Sequence, residues 1–261
     1  MKRVLGPLRV RLPDIICVRC RARMDETLTT RVLHAGVDAS GTPALVCDCG
    51  ATYVVVDGIP VVLGDLDDCA LVLSAAGDDR QLGVYAHAPS SPFSEWLAAE
   101  IARSPAPVVE LGSGLGHAGT MAVDTNLAML RARGARGGSI CADALDPPFL
   151  AGSAGTVVLA NVLDSCRDPF TLLAQADALV RPGGRLIVAC AYAFQDAVTP
   201  RAGWFSEADL RGAFEGRAFG GYPIACTLRE EIPALEWRLQ LSARTEHRHA
   251  VHVIVGSKDG P

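Results

Sequence analysis

A short apolar segment that runs into three alternating glycines is the most constraining feature of this chain. Residues 107–111 have the composition of a buried strand, and Gly112, Gly114 and Gly116 follow at once. Glycines at this point let the backbone turn sharply and approach a ligand closely. The segment therefore predicts an α/β fold with a ligand bound at the carboxyl edge of its sheet, although dinucleotide-binding proteins carry similar loops.

Further segments along the chain help to distinguish among the α/β folds that have such a glycine loop. Glu110 lies two positions before the first glycine, and a second acidic residue, Asp124, ends the next apolar segment. Strand-like and turn-like stretches follow at 140–145, 148–149, 153–158 and 179–188. Taken together over roughly residues 83–258, these motifs resemble the class I S-adenosylmethionine-dependent methyltransferases.

The resemblance implies a Rossmann-like methyltransferase sheet that is mostly parallel and has an antiparallel last strand. Strands at 234–242 and 250–255, around a loop at 243–249, would form its antiparallel edge pair. The resemblance also implies S-adenosylmethionine as cofactor, with Asp124 on the ribose hydroxyls and Asp143 on the adenine amino group. The full set of residues expected around the cofactor is Glu110, Gly112, Gly114, Gly116, Asp124, Asp143, Ala144 and Asn161.

The first crossover departs from the family pattern. Only eight positions separate Gly116 from Asp124, whereas a parallel crossover usually takes a dozen residues or more and contains a helix. In one interpretation the first helix is lost and Asp124 still reaches the ribose through a short loop. In another, residues 117–133 form the single helix after the loop and the second strand is absent. A third is that the loss abolishes cofactor binding and leaves a pseudoenzyme.

Four of the nine cysteines lie in two close pairs within residues 17–49. Such pairs, a couple of dozen residues apart, are typical of a tetrahedral structural zinc site, the alternative being reduced free thiols. With the Asp-Gly-Ile-Pro stretch at 57–60 they resemble the Trm112-like zinc-ribbon module. That resemblance implies a structural zinc ion. The chain departs from the family pattern in the second pair, whose cysteines are separated by a single residue, and His34 is therefore considered as a substitute ligand. The expected ligands are Cys17, Cys20, Cys47 and Cys49.

Length and composition fit a large domain with an appendage. The chain has 261 residues, 49% of them hydrophobic, and a net charge of −5, which excludes disorder and a general polyanion binder. No segment is long and apolar enough for a membrane span, and no secretory signal is evident, so we expect a cytoplasmic protein. The predicted organisation is a zinc ribbon at 1–68, a connector at 69–92 and a methyltransferase-like domain at 93–261.

Candidate groups on the substrate side are few. Tyr192 follows the predicted fifth strand and faces the ligand edge of the sheet, and His249 belongs to a basic cluster near the C-terminus. Both are predicted catalytic residues, with a packed side chain and a solvated hairpin as their structural alternatives. Tyr85 and His87 precede the fold and are candidates to cover the cofactor.

These features predict methyl transfer from S-adenosylmethionine to an O, N or S atom of a small molecule or peptide. One alternative is methylation of rRNA or tRNA, but only 5% of residues are aromatic and the chain is acidic, which disfavours a nucleic-acid partner. The other is a catalytically degenerate binding protein that keeps the fold. A homodimer is also considered, and no membrane partner is expected.

Overall fold

The computed structural model describes residues 14–22, 31–64, 82, 88–134 and 137–260. Its α-helices are α1 (Val18–Ala22), α2 (Pro92–Arg103), α3 (Leu127–Arg133), α4 (Pro169–Leu179) and α5 (Glu207–Phe214). Its strands are β1 (His34–Val37), β2 (Pro43–Val46), β3 (Thr52–Val56), β4 (Ile59–Pro60), β5 (Val108–Leu111), β6 (Met121–Asp124), β7 (Gly138–Cys141), β8 (Ala154–Ala160), β9 (Val180–Cys190), β10 (Thr227–Ser242) and β11 (Thr245–Ser257). None of the helices in these ranges is long and apolar enough to cross a membrane.

The larger sheet has seven strands in the order β10-β11-β9-β8-β5-β6-β7. Strands β5 to β9 run parallel to one another, and β11 pairs antiparallel with both β9 and β10. Apolar side chains leave both faces of the sheet, because α2 covers one face while α4 and α5 cover the other. The predicted fold class, a mostly parallel α/β sheet with an antiparallel edge, is confirmed.

The first crossover has no helix. Strand β6 is present and parallel to β5, with Val109 opposite Met121 and Leu111 opposite Val123. Residues 112–120 connect the two strands, and the next helix, α3, comes only after β6. The first helix is therefore absent, as the first interpretation expected, and the interpretation without a second strand is wrong. The contact of Asp124 with a ribose stays a prediction. Four glycines with positive φ, from Gly112 to Gly119, let the chain reverse within so short a segment.

The C-terminal hairpin is longer than predicted. The expected loop at 243–249 is wrong over most of its length, because β10 and β11 are joined by residues 243–244 alone. Trp237 pairs with His249 and Leu239 with His247, so the basic cluster lies on a strand. Since β9 ends opposite His252, residues 245–251 extend past the carboxyl edge of the parallel strands.

Helix starts follow the polar residues that precede them. Helix α4 begins after Asp168, whose carboxylate accepts hydrogen bonds from the backbone N–H groups of Phe170 and Thr171. In helix α2, Ser91 is the N-cap, and Ser94 completes a reciprocal capping box as the third helical residue.

A small four-stranded sheet, in the order β1-β2-β3-β4, forms the N-terminal unit. It covers the outer edge of the large sheet, because Val61 forms a parallel bridge with Cys141 of β7 and the backbone N–H of Val62 donates to the Cys141 carbonyl at 2.8 Å. On the other side of the contact, the N–H of Ile16 donates to the Pro148 carbonyl at 2.9 Å. The edge strand β7 thus has a backbone partner on both sides.

Candidate active site

A cavity of about 1060 Å³ lies at the carboxyl edge of the parallel strands. The glycine loop, the ends of β6, β7 and β8 and the start of α2 all contribute to its wall. Seven of the eight predicted cofactor residues line it: Gly112, Gly114, Gly116, Asp124, Asp143, Ala144 and Asn161. The position agrees with the rule that ligands of open α/β sheets bind outside the carboxyl ends of the strands.

The glycine loop wraps around the carboxylate of Asp124. Oδ2 of Asp124 accepts a hydrogen bond from the N–H of Gly114 at 2.7 Å, and Oδ1 accepts one from the N–H of Asn126 at 2.7 Å. Burial raises the pKa of Asp124, although these two N–H groups oppose the shift. A side chain at Gly112 would collide with Val162, so glycine is required there for space as well as for its positive φ. The loop and the strand-end acid form one rigid unit.

A buried polar cluster lies behind the loop. The Glu110 carboxylate accepts hydrogen bonds of 2.7 Å from the N–H and Nδ1 of His117 and from the hydroxyl of Thr120. The guanidinium of Arg133, from α3, donates to the carbonyls of His117, Thr120 and Gly138 at 2.5–3.0 Å. Glu110 and Arg133 are each only 2% exposed. The cluster supplies polar partners for backbone groups that a crossover helix would have satisfied internally.

Glu110 therefore has a different position from the one expected of a cofactor residue. Its carboxylate lies behind the loop and does not line the cavity. Burial raises its pKa, but the hydrogen bonds and the charge of His117 and the hydroxyl of Thr120 outweigh burial and hold the pKa below its ordinary value. Glu110 thus stays ionised and braces the loop.

Asp143 lies at the predicted adenine-binding segment and is held there by two contacts. Asp143 accepts a hydrogen bond from the N–H of Leu145 at 2.9 Å and pairs through its other oxygen with Arg167 at 2.7 Å. The N-terminal unit supports this segment, because Arg21 of α1 hydrogen-bonds the Pro147 carbonyl and pairs with Asp146. Leu63, just after β4, lines the same cavity.

Two buried polar atoms in the cavity wall have no hydrogen-bond partner within the described part of the chain. They are the hydroxyl of Ser113, in the glycine loop, and Oδ1 of Asn161, which follows β8 with a φ of 52°. Buried polar groups in native proteins are nearly always paired. Both atoms belong to residues of the cavity wall, and this wall of glycine backbone, carboxylates and an amide fits a polar ligand.

The four predicted zinc ligands come together. Sγ of Cys17 lies 3.8 Å from that of Cys49, Sγ of Cys20 lies 3.6 Å from that of Cys47, and all four sulfurs are within 4.8 Å of one another. A tetrahedral zinc–thiolate site has sulfur–sulfur distances of about 3.8 Å, from zinc–sulfur bonds of about 2.3 Å. The cluster is therefore compatible with a structural zinc ion.

The one-residue spacing of the second pair is accommodated by a tight turn. The N–H of Gly50, which has a φ of 85°, donates to the Cys47 carbonyl at 2.9 Å. Next to the four cysteines, the hydroxyl of Tyr53 lies 3.2 Å from Sγ of Cys17. His34, the proposed substitute, is an exposed residue of β1 and is not part of the cluster.

Comparison with known proteins agrees with this architecture. Residues 107–188 match the family described as "Methyltransferase domain". The seven-stranded sheet has the class I methyltransferase fold. The match supports S-adenosylmethionine-dependent methylation in general, and it includes the glycine loop, Asp124, Asp143 and Asn161.

Solved structures of methyltransferases are similar to the chain at low identity. A complex that contains the Haloferax volcanii Trm112 methyltransferase activator has 18% identity over 64% of this chain and 90% of that chain, with a TM-score of 0.45. Geranyl diphosphate C-methyltransferase from Streptomyces coelicolor has 13% identity over 64% and 75%, with a TM-score of 0.43. A 16S rRNA (adenine(1408)-N(1))-methyltransferase from Catenulisporales acidiphilia has 14% identity over 66% and 94%, with a TM-score of 0.38. No curated protein matches the chain.

Neither predicted catalytic residue lines the cavity. The Tyr192 hydroxyl lies 2.6 Å from Nδ1 of the buried His252, whose Nε2 is 2.8 Å from Glu231, so Tyr192 belongs to an internal network. Burial raises its pKa above the ordinary value. The ring of His249 lies tilted against that of Trp237, with 5.4 Å between the ring centroids, and Trp237 rather than His249 lines the cavity. Tyr85 and His87 lie outside the described residues.

Sequence reasoning missed His117, Thr120 and Arg133, which hold the shortened crossover. The missing helix was a signal that backbone groups in the loop would need other partners. It did not indicate which side chains would supply them, because Arg133 comes from an element that follows the next strand. Trp237 was missed as a cavity residue because its strand was not expected to reach the cavity.

Proposed function

We propose that this protein transfers a methyl group from S-adenosylmethionine to an O, N or S atom of a small molecule or peptide. The observation that carries the proposal is one cavity in which the glycine loop, Asp124, Asp143 and Asn161 meet at the carboxyl edge of the sheet. When bound, the cofactor would supply the electrophilic methyl group from its sulfonium centre. The protein's own part is to bind and align, which is the main requirement in such reactions.

Each part of the cavity has a proposed partner on the cofactor. Asp124 would hold the ribose hydroxyls, the glycine loop would follow the methionine portion, and Asp143 with Ala144 would flank the adenine. The opposite wall carries apolar side chains from α2 and the hairpin, including Phe93, Leu97 and Trp237. This wall favours a small acceptor with apolar or aromatic surface over a nucleic-acid backbone.

The division into a zinc ribbon at 1–68, a connector at 69–92 and a methyltransferase-like domain at 93–261 is part of the proposal. We further propose that the N-terminal unit is a Trm112-like zinc ribbon, in which zinc binds four thiolates and leaves no open coordination position. Its role would be structural, because it covers the β7 edge and supports the segment at 143–148.

Calorimetry with S-adenosylhomocysteine tests the cofactor site. We expect micromolar binding by the native chain and about tenfold weaker binding by Asp124→Asn, because the amide keeps only one acceptor oxygen for two N–H groups and the ribose. Asp57→Asn is the matched control, since Asp57 is an exposed turn residue whose side chain pairs with Arg131. Absence of binding at high micromolar concentration would contradict the proposal and favour the degenerate binding protein.

Metal analysis tests the zinc ribbon. We expect about one zinc ion per chain and its loss in Cys17→Ser, together with a lower melting temperature, because structural zinc binding is coupled to folding. Cys226→Ser changes a buried thiol outside the cluster and should leave the metal content unchanged. A native chain that is purified without chelators and contains no metal would refute the zinc assignment.

A further inference from the structure

The cofactor cavity contains few positive groups, although its ligand would end in a carboxylate. In parallel α/β folds, the helix after the glycine loop directs its positively charged end toward anionic ligand groups. Here residues 112–120 form no helix, so this contribution is missing from the loop. Among the described residues that line the cavity, His117 and Arg167 are the only basic side chains.

Arg167 is not placed to replace the helix end. Its guanidinium is 70% exposed and pairs with Asp143 at 2.7 Å, on the side of the cavity assigned to adenine. His117 instead follows Gly116 directly, in the loop segment that stands where the helix would begin. It is therefore the basic group next to the glycine loop.

The His117 ring is held in one orientation. Its Nδ1 lies 2.7 Å from Oε1 of Glu110, and its own backbone N–H donates to Oε2 of the same carboxylate at 2.7 Å. Arg133 fixes the backbone from behind by donating to the His117 carbonyl at 2.5 Å. Within the described chain Nε2 has no hydrogen-bond partner, 29% of the side chain is exposed, and His117 lines the cavity.

The charges around the ring favour its use as an anion ligand. Hydrogen bonds from His117 hold the pKa of Glu110 below its ordinary value, so the Glu110 carboxylate is ionised and accepts from Nδ1 of the ring. A ligand carboxylate at Nε2 would place the ring between two anions, where the imidazolium form donates from both nitrogens. A charge-assisted hydrogen bond from such a donor to a carboxylate is stronger than one between neutral groups.

We propose that Nε2 of His117 binds the carboxylate at the amino-acid end of the cofactor and so replaces the missing helix terminus. This inference rests on the proposed methyltransferase function. It makes His117 a binding residue for one part of the cofactor and leaves the nucleoside contacts to Asp124 and Asp143. The two parts can be separated with ligands that either contain or lack the amino-acid end.

Calorimetry with S-adenosylhomocysteine and with 5′-methylthioadenosine makes this separation, because the second ligand keeps the nucleoside and the thioether but lacks the carboxylate. His117→Asn keeps a side-chain amide near the position of Nδ1 and removes Nε2. We expect it to weaken S-adenosylhomocysteine binding about tenfold and to leave 5′-methylthioadenosine binding unchanged. His117→Gln is the matched variant, since its amide can reach the Nε2 position, and it should lose less affinity.

The outcomes distinguish this inference from the proposed function. Equal affinity of the native chain and His117→Asn for S-adenosylhomocysteine would overturn the inference. So would an equal loss for both ligands, because His117 would then only support the loop. A native chain that binds neither ligand would instead overturn the proposed function.

Discussion

Two crossovers of the same sheet connect parallel strands in opposite ways. Between β8 and β9 the chain forms helix α4, which buries Leu172, Leu173 and Leu179 against the sheet. Between β5 and β6 it forms a bare loop, braced by the charged side chains of Glu110 and Arg133. The first connection is stabilised by apolar burial and internal helical hydrogen bonds, and the second by a few directional polar contacts.

The difference predicts where cofactor binding is vulnerable. A helical crossover keeps its structure when one packing contact is lost, because the helix retains its own hydrogen bonds and many other apolar contacts remain. A loop that depends on one buried guanidinium has no other contacts of this kind, because each lost donor leaves a backbone acceptor without a partner. The loop crossover contains the glycines that line the cavity, so its stability and cofactor affinity should change together.

Arg133→Met should have the larger effect. It removes the donors of three buried carbonyls and should lower the free energy of unfolding by about 4 kcal/mol. Chemical denaturation measures this change, and calorimetry should show weaker S-adenosylhomocysteine binding. Arg131→Met, in the same helix, removes an exposed pair with Asp57 and should change the unfolding free energy by less than about 1 kcal/mol. Similar losses in both variants would contradict a special role for Arg133.

Leu173→Ala should have the smaller effect on stability and almost none on binding. The lost burial and the resulting cavity should lower the free energy of unfolding by about 3 kcal/mol. Leu173 does not line the cofactor cavity, so the affinity for S-adenosylhomocysteine should stay within about twofold of the native value. The half-exposed Leu150 provides a surface control as Leu150→Ala. A large loss of affinity in Leu173→Ala would show that the two crossovers are coupled and would contradict their separate effects on stability and binding.

Much of the fold could be predicted because its signals are local. The strand at 107–111, the glycines after it and the Asp-Pro start of α4 are short patterns, and each describes its own segment. The order of these segments along the chain carried the family resemblance, which implied a mostly parallel α/β sheet, although the presence of the second strand was left open. The hairpin was less predictable, because polar residues such as His247 and His249 lie on long strands whose partners, rather than their own composition, keep them extended.

The residues of the candidate site also differ in how well the sequence predicted their positions. Asp124 ends β6 and Asp143 follows β7 by two residues, so sequence position was enough to expect them in one cavity. Tyr192 and His249 also lie near that edge, but neighbouring side chains direct them elsewhere: Tyr192 toward His252, and His249 onto Trp237. Proximity along the sheet edge therefore did not predict which side chains reach the cavity.

By itself, the sequence determined the sheet, the position of the ligand edge and the two cysteine pairs, because these depend on short patterns of apolar residues, glycines and thiols. It also showed that the first crossover was too short for a helix. Only the tertiary structure decided how the chain makes that connection. Arg133 reaches the loop from a helix beyond the next strand, and Glu110 turns away from the cavity to accept hydrogen bonds from His117 and Thr120. Contacts of this kind depend on the packing of distant segments, which no local pattern encodes.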